Sequence, residues 1–79
     1  MSDDQKFDME LDCKNLSCPL PVLKTKQAIG KLTPGQVLKM TSTDPGSNKD
    51  MASWSNRTGN PILKTEVVGN EHIFYIQRK

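Results

Sequence analysis

Cys18 is the residue in this chain best placed for covalent chemistry, because it opens the run Cys18-Pro19-Leu20-Pro21. Prolines at that spacing fit the first turn of a helix and are poorly tolerated further in, so Cys18 is predicted at or near a helix N-cap. Unpaired amides and the positive end of a helix favour an anion there, which predicts a thiol acidified below the free value of about 8.5. A thiolate is the nucleophilic form of cysteine, and the same field would hold a persulfide, Cys-S-S⁻, as a transferable anion. Cys13 is the only other cysteine. With one histidine and two cysteines five positions apart in a C-x₄-C spacing, the chain lacks a four-ligand metal set.

The elements that must position Cys18 follow from periodicity. Phe7, Met9, Leu11 and Cys13 alternate with Asp8, Glu10, Asp12 and Lys14, the period-two pattern of a half-buried strand, which puts Cys13 on the core face as a small buried thiol. Asn15 to Pro21 is then a strand-to-helix turn. Val22, Thr25, Ala28, Ile29 and Leu32 share one helical face, and Thr33-Pro34-Gly35 stops the helix. Leu20 and Leu23 fall off that stripe, beside Cys18, and are expected to be partly exposed. Gln36 to Thr43 reads as a second strand ended by Asp44-Pro45-Gly46. Ser47 to Asp50 has the spacing of a capping box opening a second helix, with Met51 and Trp54 as its core face and Gly59-Asn60-Pro61 as its stop. Ile62 to Val68 and His72 to Gln77 form a closing hairpin around Gly69-Asn70-Glu71, with His72 a polar strand residue. The order β-α-β-α-β-β predicts an α/β two-layer sandwich, in which a four-stranded mixed sheet carries two helices on one face. One domain over residues 1–79 is expected, ordered from about 7 to 77, with the first six and last two residues frayed.

Composition narrows the function classes. The chain has 79 residues, 34% hydrophobic and 25% charged, a net charge of +2 and a mean hydropathy of −0.61. Large multi-domain enzymes and disulfide scaffolds are excluded. No run approaches the roughly 18 apolar residues of a membrane span, and the acidic start is unlike a secretory signal, so a cytoplasmic protein without a membrane partner is expected. Residues 1–12 carry five acids and one lysine, whereas residues 13–39 carry five lysines and no acid. That basic stretch would guide an acidic partner or a sulfur anion. Sparse lysines, four aromatics and no nucleic-acid motif argue against tight direct nucleic-acid binding.

The chain resembles the TusA/SirA-like sulfur carrier proteins, marked by a Cys-Pro-x-Pro box that opens the first helix after a strand ending in aspartate. Asp12, Leu16, Cys18, Pro19 and Pro21 stand at the matching positions, and the resemblance runs on through Asp44-Pro45, Asp50, Met51, Trp54, Gly59 and the closing strands. It implies that Cys18 accepts sulfane sulfur as a persulfide and hands it on, with no cofactor beyond that covalently held sulfur. A cysteine desulfurase or rhodanese would be the donor and a DsrE-like or other protein the acceptor, in tRNA thiolation, molybdenum-cofactor maturation or sulfur oxidation. Asn15 replaces the common glycine before Leu16 and can keep its left-handed turn. Leu20 replaces a frequent glutamate, which predicts hydrophobic docking by Leu20 and Leu23 with Lys24 and Lys26 close by.

Two further functions compete with the carrier: a regulatory module binding protein or RNA without sulfur chemistry, and a thiol-redox protein cycling Cys13 and Cys18. No base is apparent beside the box in the sequence, so partner proteins are expected to complete the chemistry.

Overall fold

The structure, a computed structural model, describes residues 6–79. Expectations for residues 1–5, including fraying, lie outside the described residues. The elements are β1 (Met9–Cys13), α1 (Leu20–Ile29), β2 (Val37–Ser42), α2 (Ser47–Thr58), β3 (Ile62–Val68) and β4 (Glu71–Gln77). The strands form a mixed sheet in the order β1-β2-β4-β3. β1 and β2 are parallel, with Met9 opposite Leu38 and Cys13 opposite Ser42. β4 runs antiparallel to both β2 and β3. A parallel pair needs a crossover, which α1 supplies, so the ends of β1 and β2 and the loops leaving them share one edge of the sheet.

Both helices cover the same sheet face. Leu38, Met40, Phe74 and Ile76 rise from the strands to meet Ala28, Ile29 and Leu32 at α1 and Met51 and Trp54 of α2, with Cys13 enclosed among them. The predicted α1 stripe is buried except for Val22, which is half-buried. Pro21 is buried as well, and its carbonyl accepts a 2.8 Å hydrogen bond from Thr25 Oγ1. Gly59 ends α2 at φ 82, a left-handed position that L side chains rarely adopt and that favours glycine.

Three local expectations are corrected. Phe7 does not join the core face: β1 begins at Met9, and Phe7 is 42% exposed. Asp8 closes the ladder instead, its N–H donating to the Val37 carbonyl and its carboxylate accepting the Val37 N–H. Phe7 crosses to the opposite sheet face, where its ring lies 6.2 Å from that of Tyr75 and beneath Lys39 Nζ. The last two residues are held rather than frayed, since Arg78 exchanges backbone hydrogen bonds with Gly35 and Gln36 and Lys79 N–H donates to Asn60 Oδ1 at 2.7 Å. The capping box at Ser47 does not form: α2 has Gly46 as N-cap and no side-chain cap. Ser47 Oγ pairs instead with Ser42 Oγ at 2.6 Å, both buried. That bond anchors the start of α2 to the end of β2.

Candidate functional site

The shared edge of β1 and β2 brings the two strand-to-helix turns together. Asp12 Oδ1 accepts the Lys14 N–H at 2.9 Å and tightens the chain as it leaves β1. Asn15 follows at φ 67, the left-handed conformation expected for it. Its N–H donates to Thr43 Oγ1 at 2.9 Å, which ties the turn before α1 to the turn before α2. Leu16 is half-buried against the core and anchors the loop from below. Cys18 stands above it as an exposed free thiol, joined to Pro19 by a cis peptide bond.

The thiol is not acidified. Its hydrogen bond to the Asp50 carboxylate raises its pKa above the ordinary value, helped by slight burial and by the negative charges of Asp50 and Asp44. The expected helix field fails for a reason written in the box itself. Pro19, the N-cap, and Pro21 have no N–H, and the Leu20 N–H is taken by the Ser17 carbonyl at 2.9 Å, so the first turn of α1 has few donors left for an anion. Meanwhile α2 presents its own first turn. Asp50 is half-buried in that turn and makes no side-chain cap. Asp44 lies on the other side of Gly46, at which a Cβ would have carboxylate oxygens of both Asp44 and Asp50 within 4 Å.

Cys13 is fully buried. Burial raises its pKa first, the charge of Asp12 adds to this, and Lys24 opposes it. Both cysteines are free.

Leu20 and Leu23 are 43% and 48% exposed, as the helical phase predicts. The structure divides the basic residues beside them. Leu23 and Lys26 line a groove of about 480 Å³ between α1 and α2, together with Trp54, Arg57 and Arg78. Lys24 lies on the other flank of α1, in a cleft with Met9 and Leu11 of β1. Sequence reasoning named Asp44 and Asp50 without relating them to the thiol, and missed Arg57. The available signal for the two acids was topology: in a β-α-β unit with parallel strands, the loops after both strands meet at one edge. Arg57 enters through helix packing that no local pattern announces. Among the described residues, no group of His, Cys, Asp and Glu is arranged to hold a metal ion, and no helix is long and apolar enough to cross a membrane.

Comparison with known proteins bears on the family and the fold. The family model for Sulfurtransferase TusA matches residues 9–78. Sulfur carrier protein TusA of Allochromatium vinosum is 40% identical over 72 residues, covering 91% of this chain and 95% of that protein. A longer protein of Aquifex aeolicus is 47% identical over 73 residues, which make up 92% of this chain and 37% of that one. The crystal structure of a SirA-like protein from Desulfitobacterium hafniense superimposes with a TM-score of 0.77 at 20% identity, covering 89% of this chain and 96% of that chain, and so shares the fold. With the family model spanning all six elements and a relative aligned over nearly its whole length, the chain belongs to the sulfurtransferase TusA family.

Proposed function

We propose that the protein is a sulfur carrier that takes sulfane sulfur onto Cys18 as a persulfide and passes it to a partner protein. The observation that carries this reading is the exposed, free Cys18 thiol in the Pro19/Pro21 turn of a TusA-family chain. Sulfur transfer requires two sulfur atoms to touch, so the reacting cysteine must project from the surface, and Cys18 does. A Cys13–Cys18 redox cycle is disfavoured by the complete enclosure of Cys13 in the core. In this proposal the sulfur is held covalently, with no separate cofactor. Leu20 and Leu23, exposed beside the thiol, give a partner an apolar foothold, and Lys26 with Arg57 offers it positive charge along the adjoining groove. A cysteine desulfurase or rhodanese fits the role of donor, and a DsrE-like protein that of acceptor.

Intact mass after incubation with a donor tests the assignment. A carrier gains about 32 Da, one sulfur. The Cys18→Ser variant should lose that adduct and Cys13→Ser should keep it. An adduct that persists in Cys18→Ser, or a loss of two hydrogens in the wild type, refutes the reading.

A further inference from the structure

We infer that the outer edge of β3 pairs with the same edge of a second copy of this chain, antiparallel about Thr65, so that two sheets join into one. β3 ends the sheet order β1-β2-β4-β3, and among the described residues no strand lies beyond it. The direction of the backbone groups along that edge follows from the hairpin. β3 and β4 are joined by the two-residue loop Gly69-Asn70, with Val68 opposite Glu71 and Gly69 at φ 62, the geometry of a type II′ turn. In such a hairpin the pair flanking the loop is hydrogen-bonded, and hydrogen-bonded pairs then alternate along the ladder. Val68, Glu66 and Lys64 therefore direct their N–H and C=O groups to β4, while Thr65 and Val67 turn theirs to the open edge. A row of outward donors and acceptors is a template for another strand.

Side chains decide which strand fits. Edge lysines ordinarily keep sheets apart, and β3 carries Lys64. It also carries Glu66 two residues on, and the two charges meet on one face of the sheet, with Lys64 Nζ 3.1 Å from a Glu66 carboxylate oxygen. When two such edges run antiparallel about Thr65, Lys64 stands directly opposite Glu66 of the second copy, and Glu66 opposite its Lys64. The four charges then alternate in sign around the two-fold axis, at pairs of the kind in which opposed side chains come closest. On the other face Val67, 60% exposed, meets Leu63 of the second copy, a residue 43% exposed in this chain. Centring the pairing on Lys64 or Glu66 instead would set like charges opposite each other, and centring it on Val67 would set Glu66 against Val68. The edge Leu63-Lys64-Thr65-Glu66-Val67 thus complements itself read backwards, the requirement of a two-fold interface. A bulge between Ile62 and Lys64 closes the regular edge at Leu63 and keeps the ladder short. β1, which leads to Cys18, is the opposite edge of the sheet, so pairing through β3 leaves the thiols outside the contact.

So short an interface belongs at the weak end of the range, with a Kd between micromolar and millimolar. Sedimentation velocity of the wild type should show monomer at about 10 μM passing toward dimer by about 1 mM. Over the same range hydrogen exchange at the Thr65 amide should slow, while exchange in α1 stays unchanged. Charge exchange tests the register. Glu66→Lys leaves only lysines at the facing positions and Lys64→Glu only acids, so each variant alone should dimerise about tenfold more weakly or worse. Mixed in equal amounts the two variants should associate again, because every lysine then faces a glutamate. The Lys64–Glu66 pair is solvent-accessible and contributes little to folding, so both variants should melt near the wild-type temperature. A wild type that stays monomeric to 1 mM overturns the inference, and an edge that accepts only another protein's strand would give that result. A dimer that either variant forms as readily as wild type overturns it as well, and so do folded variants that fail to associate when mixed. None of these readouts involves sulfur on Cys18, so the inference stands or falls separately from the carrier reading.

Discussion

Replacing Leu20 by Glu separates docking from folding. Leu20 opens α1 and is 43% exposed, so slightly more than half of its side chain is covered by the protein's own fold. Full burial of a leucine is worth about 1.5–3 kcal/mol, which leaves roughly 1–1.5 kcal/mol at risk. With few free N–H groups in the first turn of α1, a glutamate there regains little from the helix dipole. The net cost is therefore about 1–1.5 kcal/mol, a fall in Tm of roughly 4–12 °C for a domain of this size. Docking loses more. Covering the remaining leucine surface contributes about 1 kcal/mol, and enclosing an unpaired carboxylate costs about another 1–3 kcal/mol. Affinity for a donor that loads the wild type should therefore drop at least thirtyfold, about 2 kcal/mol. Thermal melting and fluorescence anisotropy of the labelled carrier titrated with that donor measure the two effects side by side. Loss of the fold would show that Leu20 belongs to the core. A folded variant that binds as tightly as wild type would refute the docking surface and direct attention to the opposite sheet face around Phe7 and Tyr75.

Two further outcomes concern the frame behind the thiol. Ser47→Ala should destabilise the protein by about 1 kcal/mol in urea denaturation, because it leaves the buried Ser42 hydroxyl with only the Asp44 N–H as partner, and a midpoint equal to wild type would show that the 2.6 Å pair contributes nothing. For Cys13 the folded pKa is raised, first by burial, so the folded state keeps a proton that the unfolded chain loses above about pH 8.5. The associated stability is complete below that pH and declines as pH rises toward the folded value, by about 1.4 kcal/mol per unit. Urea midpoints between pH 7 and 10 for wild type and Cys13→Ala should converge at the alkaline end, and parallel curves would refute the linkage.

Periodicity carried the architecture. The order of elements, the single stripe of α1, the burial of Cys13 and Trp54 and the exposure of Leu20 and Leu23 all follow from apolar spacing, because each depends on which face of one element is greasy. Phe7 broke the pattern since a strand's end is set by its ladder, and Asp8 satisfies Val37 with both its backbone and its carboxylate. The last two residues look like a polar tail, yet Arg78 and Lys79 are fixed by Gln36 and Asn60, partners far away in sequence. Ser47-Asn48-Lys49-Asp50 is the most instructive case. The spacing satisfies a capping box, but Ser47 is bound instead to the buried Ser42 hydroxyl, a partner in another element.

A similar competition explains why the proline box does not act as a helix-dipole site. A helix start acidifies a thiol through its free N–H groups, and this one has given up two to proline and a third to Ser17. With the backbone field of α1 depleted, the electrostatics of Cys18 pass to α2, whose Asp50 belongs to a different segment and arrives only because β1 and β2 are parallel and end at one edge. Asp50 and Asp44 therefore disfavour the Cys18 thiolate at a place where a helix start with free N–H groups would have favoured it.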